Sequence, residues 1–196
     1  MIKTAIAAVL VFASGVASAQ AQTAGVALGP AELVAELHQA NQFEIAAGLL
    51  AQQKGSVPDV RAYGRMLESD HRDADATLTE YAKENSLSVD DVPERLRMQD
   101  QATRARLDSL RRLNGADFDR AFVDLMQQAH GRVIGTIEAS RLTVTEPRLR
   151  DMLAVLEPTL RAHRQVAENI LRAMPAPSVT TSGAPCPGCG PHTTPR

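Results

Sequence analysis

Four long stretches of the chain repeat apolar residues at intervals of three and four, the period of a helix that buries one face. The first runs from about Pro30 to Gln53 and carries Leu33, Leu37, Ala40, Ala47 and Ala51 on its stripe. The second, about Val57 to Asn85, carries Val60, Tyr63, Leu67, Ala74, Leu78 and Tyr81. The third, about Gly115 to Thr143, has Phe118, Phe122, Met126, Val133 and Ile137, and the fourth, about Glu146 to Ala173, has Leu149, Leu153, Leu156, Leu160, Val166 and Ile170. Punctuation agrees with the period. Ser56-Val57-Pro58-Asp59 and Thr145-Glu146-Pro147 each place a capping hydroxyl before an early proline, and Asn114 offers a cap to the third helix.

Only a few residues separate helices one and two, and likewise three and four, so each pair must form an antiparallel hairpin. Between the hairpins, about Ser86 to Leu113 holds a shorter helix after Pro93, with Leu96, Leu107 and Leu110 on one side. A helix as long as the second spans about 43 Å, and such a stretch can cross that distance. The expectation is an all-α fold over residues 30–174: a four-helix bundle with a long helical crossover between helices two and three.

The gaps in the apolar stripes carry the chemistry. Glu44 falls between Ala40 and Ala47, His71 between Leu67 and Ala74, His130 between Met126 and Val133, and His163 between Leu160 and Val166. In a hairpin, residues equidistant from the turn face each other. The midpoint between His130 and His163 falls beside Pro147, and that between Glu44 and the Glu68/His71 pair falls near Val57. Glu68-Ser69-Asp70-His71 is a Glu-x-x-His, which puts both side chains on one helix face. Glu44, Glu68, His71, His130 and His163 are therefore expected to converge at mid-bundle. Two chemistries fit them. One is a transition-metal site for zinc, copper, manganese or iron, in which a cation compensates the carboxylates; the other is a metal-free, hydrogen-bonded polar network.

Composition narrows the classes. Of 196 residues, 44% are hydrophobic but only 3% aromatic, with no Trp, which suits close helix packing and excludes an all-β wall. A formal net charge of −2 gives no surplus of cations for phosphates, so no nucleic-acid partner is expected. Arginines in the crossover, such as Arg95, Arg104 and Arg111, are interleaved with Asp90, Glu94, Asp100 and Asp108, as on a solvated, salt-bridged helix.

Lys3, the apolar run Ala5 to Val16 and the small residues Ala17-Ser18-Ala19 read as a signal peptide over residues 1–19, with a linker over 20–29. The run is too short to span a bilayer, and no second apolar stretch is long enough, so the expected location is the periplasm, with no transmembrane segment. Residues 175–196 hold six prolines and read as a disordered tail. Its Cys186-Pro187-Gly188-Cys189 is expected to form a local disulfide, with a soft-metal clasp including His192 as the alternative.

The run Asn41-Gln42-Phe43-Glu44-Ile45, the pair Asp70-His71, Asn114-Gly115-Ala116-Asp117-Phe118-Asp119-Arg120, His130 and His163 together resemble an exported bacterial family, domain of unknown function 4142, over about residues 30–173. Its members are often labelled outer membrane proteins and are regarded as ferritin-like bundles. The resemblance implies fold and export and carries no activity; nothing in this composition supports the membrane label. Ferritin-like di-iron sites take one Glu from each of two helices and a Glu-x-x-His from each of the other two. Glu44 and Glu68-x-x-His71 match one half, but His130 and Leu160-Arg161-Ala162-His163 replace the other. With two bridging carboxylates missing, a single histidine-rich site is a better fit than an oxygen-activating one. The leading expectation is a non-catalytic periplasmic bundle of ferritin-like shape that binds a metal ion or another small partner at its polar centre. Its rivals are a structural or protein-interaction bundle with a metal-free network and, more weakly, a metal-dependent oxidase. Asp70 and Glu157 are expected as solvated reserve carboxylates and His38 as a surface residue.

Overall fold

The computed structural model describes residues 26–175 apart from Asp91 and Pro93, and within the crossover helix it leaves out the side chains at 95, 96, 99 and 100. The signal peptide, most of the linker, the Cys186/Cys189 tail and the side chain of Leu96 lie outside the described residues.

The described chain is all-helical, as the periodicity requires: α1 (Pro30–Lys54), α2 (Pro58–Glu84), α3 (Glu94–Arg112), α4 (Gly115–Ser140) and α5 (Pro147–Ala173). The helices number five rather than four because the crossover is itself a 19-residue helix. Its Leu107 and Leu110 are buried against the core, while the rest of its described surface is largely exposed.

Two tight pairs, α1 with α2 and α4 with α5, meet more sparsely along two seams, α1 against α4 and α2 against α5. The α1–α2 pair closes on glycine. A Cβ at Gly48 would lie 2.6 Å from the Gly64 carbonyl oxygen, and one at Gly64 would lie 2.7 Å from that of Gly48, so only glycines permit this approach. Across α1 and α4, Leu28 N–H donates to Ser140 Oγ at one end, while Lys54 lies over the Phe118 ring at the other, so these helices run antiparallel. Arg148 at the start of α5 pairs with Glu84 at the end of α2, which makes that seam antiparallel too.

The capping expectations need correction. Val57, not Ser56, occupies the N-cap of α2, and Glu146, not Thr145, that of α5; the Asn114 side chain makes no cap hydrogen bond. Glu146 accepts from the backbone N–H groups of Arg148 and Leu149. The start of α2 is satisfied from another helix: buried Asp119 of α4 accepts from Ser56 N–H at 2.9 Å, Val57 N–H at 3.2 Å and the Ser56 hydroxyl. That arrangement gives the Asp119 of the Asn114–Arg120 run a structural task, since the N–H groups at a helix start have no partner within the helix.

The apolar core is divided. One cluster contains Ala47, Tyr63, Leu67, Phe118, Phe122, Met126 and Ala167; the other contains Leu37, Leu78, Val133, Ile137, Leu153 and Leu160. On every one of the four long helices, the residue between the two clusters is polar: Glu44, His71, His130 or His163.

Candidate metal centre

Four of the five expected residues come together. Glu44, His71, His130 and His163 are 1%, 3%, 0% and 3% exposed, which puts ionisable groups where each needs a compensating partner. The Glu44 Oε2 atom lies 2.9 Å from His71 Nε2 and 3.0 Å from His130 Nε2, and His130 Nε2 lies 3.3 Å from His163 Nδ1. One nitrogen from each histidine lies within 4.8 Å of the others, and the ring centroids are 5.3 to 5.7 Å apart.

Glu68, the fifth expected residue, stands apart. Its carboxylate pairs with Arg72 one turn along α2. The reason is the closed seam: Gly48 packs on the Glu68 backbone and Cβ, leaving the carboxylate to leave toward the surface.

The outer nitrogen of each ring is held by an oxygen. His130 Nδ1 lies 2.7 Å from the Met126 carbonyl oxygen, an atom that can only accept, so Nδ1 carries the proton. His163 Nε2 lies 2.9 Å from the Asp70 carboxylate and by the same reasoning donates. His71 Nδ1 lies 2.9 Å from Asn41 Oδ1. The orientation of that amide is set by its far side, where Asn41 Nδ2 faces the buried carboxylate of Asp75 at 3.5 Å, leaving the oxygen toward the ring. Asp75 is held in turn by His38 Nδ1 at 2.8 Å and Gln42 Nε2 at 2.7 Å.

The consequence is directional. In their neutral forms the three imidazoles turn lone pairs inward, from His71 Nε2, His130 Nε2 and His163 Nδ1, onto the Glu44 carboxylate. Four acceptors then face one another with no donor among them. Glu44 Oε2 and His71 Nε2 are both buried 2.9 Å apart, and neither has another hydrogen-bond partner. Charge must fill that gap, as protons or as a cation.

The ionisation tendencies show how far protons can do it. Burial raises the Glu44 carboxyl, but the imidazoles of His130 and His71 overcome that and hold it far below the usual carboxylate range. Burial likewise lowers His71, and Glu44, with smaller help from Asp70 and Asp75, brings its net shift upward. Burial lowers His163, and the neighbouring His130 and His71 add to that, against the hydrogen bond to Asp70. Tyr63 is raised by burial and by the Glu44 charge, and its hydroxyl donates to the His163 carbonyl oxygen at 3.1 Å, tying α5 to α2 at the level of the site.

Three neighbours complete the site, of which the sequence offered only Asp70, as a reserve carboxylate. Asn41 and Asp75 orient His71, and Asp70 is a hydrogen-bond acceptor for His163 although its side chain is 44% exposed. Asn41 sits three residues before Glu44 and Asp75 four after His71, the spacing that shares a helix face, so the signal lay in polar residues interrupting the flank of a stripe. Glu157 is mostly buried and holds Arg141 and Arg161, and His38 is half-buried against Asp75, so neither is the freely solvated group expected.

No curated protein and no solved structure matches the chain. A family model does match, over residues 15–170, and the chain belongs to the family described as Domain of unknown function (DUF4142).

Proposed function

We propose that the protein is an exported, non-catalytic bundle of ferritin-like arrangement that holds one transition-metal ion between Glu44, His71, His130 and His163. The ferritin-like reading rests on the two hairpins and on the antiparallel seams, which leave α2 and α4 running in the same direction and require a crossover such as α3 between them. Export rests on the Lys3 to Ala19 segment, and a periplasmic location follows from it.

The observation that carries the metal reading is the inward convergence of three imidazole nitrogens and a carboxylate, with the other nitrogen of each ring held by an oxygen. Metal-ligating histidines are oriented this way, each donating its other N–H to a carboxylate, carbonyl or amide oxygen. The spacing agrees. For bonds of about 2.0–2.1 Å, two ligand atoms are separated by about 2.9 Å at right angles and about 3.4 Å at the tetrahedral angle. Glu44–His71, Glu44–His130 and His130–His163, at 2.9, 3.0 and 3.3 Å, fall in that interval, while the three histidine nitrogens as a set lie within 4.8 Å of one another. Three imidazole nitrogens and one carboxylate suit zinc, copper or iron better than manganese, and with a single carboxylate at the centre the site holds one ion, not a bridged pair.

The test is elemental analysis of untagged protein purified without chelator, with melting curves after adding each metal. One equivalent of a transition metal, or an upward shift in melting temperature abolished by His130→Leu, is expected. No bound metal and no shift with zinc, copper, manganese or iron would assign the cluster to the metal-free network instead.

A further inference from the structure

Beside the histidines, the seam between α2 and α5 opens into a cleft of about 670 Å³, within the size range of small-molecule sites. It follows α5 from Arg148 to His163, a run of about 22 Å at the helical rise. Leu78, Leu149, Met152, Leu153, Leu156 and Leu160 form its wall. Met152 and Leu156 are only partly buried and Val155 is 70% exposed, so a contiguous apolar trench faces water.

The polar groups of the cleft are uneven. Asp70 and Asp73 stand at the histidine end and Asp151 toward the other, and neither Asp73 nor Asp151 has an ion-pair partner among the described residues. Arg148 is the cation of the cleft, but it is engaged by Glu84 and lies over the Tyr81 ring. The trench therefore carries unmatched negative charge at an apolar wall, with Arg148 placed away from the histidine end.

We propose that this cleft binds an elongated amphipathic cation, its ammonium head at Asp70 and Asp73 and its apolar body along α5. The site adjoins the metal centre, with His71 and His163 in its lining and Asp70 shared between them, but its apolar wall and the Asp73 carboxylate lie outside the ligand set. An anionic amphiphile of the same length meets the two carboxylates head-on, and a neutral one gains the wall without the charge.

The experiment uses the full chain, with and without prior chelator treatment, and the neutral fluorescent probe N-phenyl-1-naphthylamine; the absence of Trp leaves a clean background. Saturable probe binding is expected, displaced by dodecylamine at concentrations at least about fivefold lower than by dodecanol or dodecanoate, all below micelle formation. Asp73→Asn should narrow that margin, and Val155→Arg, at an exposed position that leaves folding intact, should weaken probe binding. No saturable binding by folded protein, or displacement by dodecanoate as effective as by the amine, would overturn the proposal. Probe binding lost as the protein self-associates with rising concentration would give the cleft to a second copy and equally overturn it. Binding unaffected by the chelator separates this outcome from that of the metal reading.

Discussion

The two seams of α2 are built on opposite principles. Toward α1, glycines at 48 and 64 bring the backbones together until no side chain fits between them, and the site residues on that side, Glu44 and His71, are almost completely buried. Toward α5, leucines and a methionine leave a cleft, and the histidine there is held by a carboxylate that reaches solvent. A buried polar layer can thus be both fixed and approachable: the closed seam sets the positions of Glu44 and His71, and the open seam leaves a side from which the layer can be reached.

The largest effect that would test this contrast is backbone separation at the closed seam. A Cβ at Gly64 meets the Gly48 carbonyl at 2.7 Å and Ala51 Cβ at 2.8 Å, so Gly64→Val should cost about 3 kcal/mol. Ala74→Val, on the cleft side of the same helix, should cost under about 1 kcal/mol, mostly helix propensity. Urea midpoints at unchanged m-value read both, and equal costs would erase the distinction between the seams.

Next in size are the groups that orient the rings. Asn41→Leu removes the oxygen that holds His71 Nδ1 and leaves Asp75 facing an apolar side chain, so metal affinity should fall by about 10–100-fold. Asp70→Asn keeps an acceptor oxygen at a half-exposed position and should cost less than about tenfold. Competition against a chromophoric chelator measures each, and a larger loss at Asp70 would reverse the roles assigned to the two sides.

A smaller and graded effect is expected from pH. His71 is raised in the metal-free fold, so its protonated pairing with Glu44 stabilises the protein fully below the ordinary histidine value and is lost as pH rises through the folded value. The proposed metal binding should have the opposite sign, because an ion would have to displace that proton. Melting curves with and without zinc should therefore diverge as pH rises from about 5.5 to about 7.5. The smallest effect belongs to the α5 cap. Backbone N–H groups of Leu149 and Arg148 lower the Glu146 carboxyl, so its contribution is present above the ordinary carboxylate value and fades as pH falls through the folded one. Glu146→Ala should flatten that acid limb of the stability curve.

Much of this was legible from spacing alone. Helix periods placed the four long elements within a few residues of their observed ends, and equal distances from the turns matched the levels of Glu44, His71, His130 and His163, because a hairpin of straight helices preserves register. Glu68 was misplaced for a reason that spacing cannot carry: an i, i+3 pair shares a face, but whether the face has room depends on Gly48 across the seam. Capping by Glu146 and the assistance of Asp119 to α2 were hidden for a similar reason, since a hydroxyl before a proline is a local signal and Asp119 acts across 63 residues. Asn41 and Asp75 were readable in principle, as polar residues one turn from inward-facing ones.

The metal proposal requires three imidazole nitrogens and Glu44 to act on one ion. Electron paramagnetic resonance of the protein titrated with Cu²⁺, in a background of Cys186→Ser, Cys189→Ser and His192→Ala that silences the tail, tests it most directly. One copper per chain, nitrogen hyperfine coupling from three imidazoles, and collapse of that signal in His130→Leu are expected. A spectrum with no multi-nitrogen coupling, or one unchanged by His130→Leu, would contradict it.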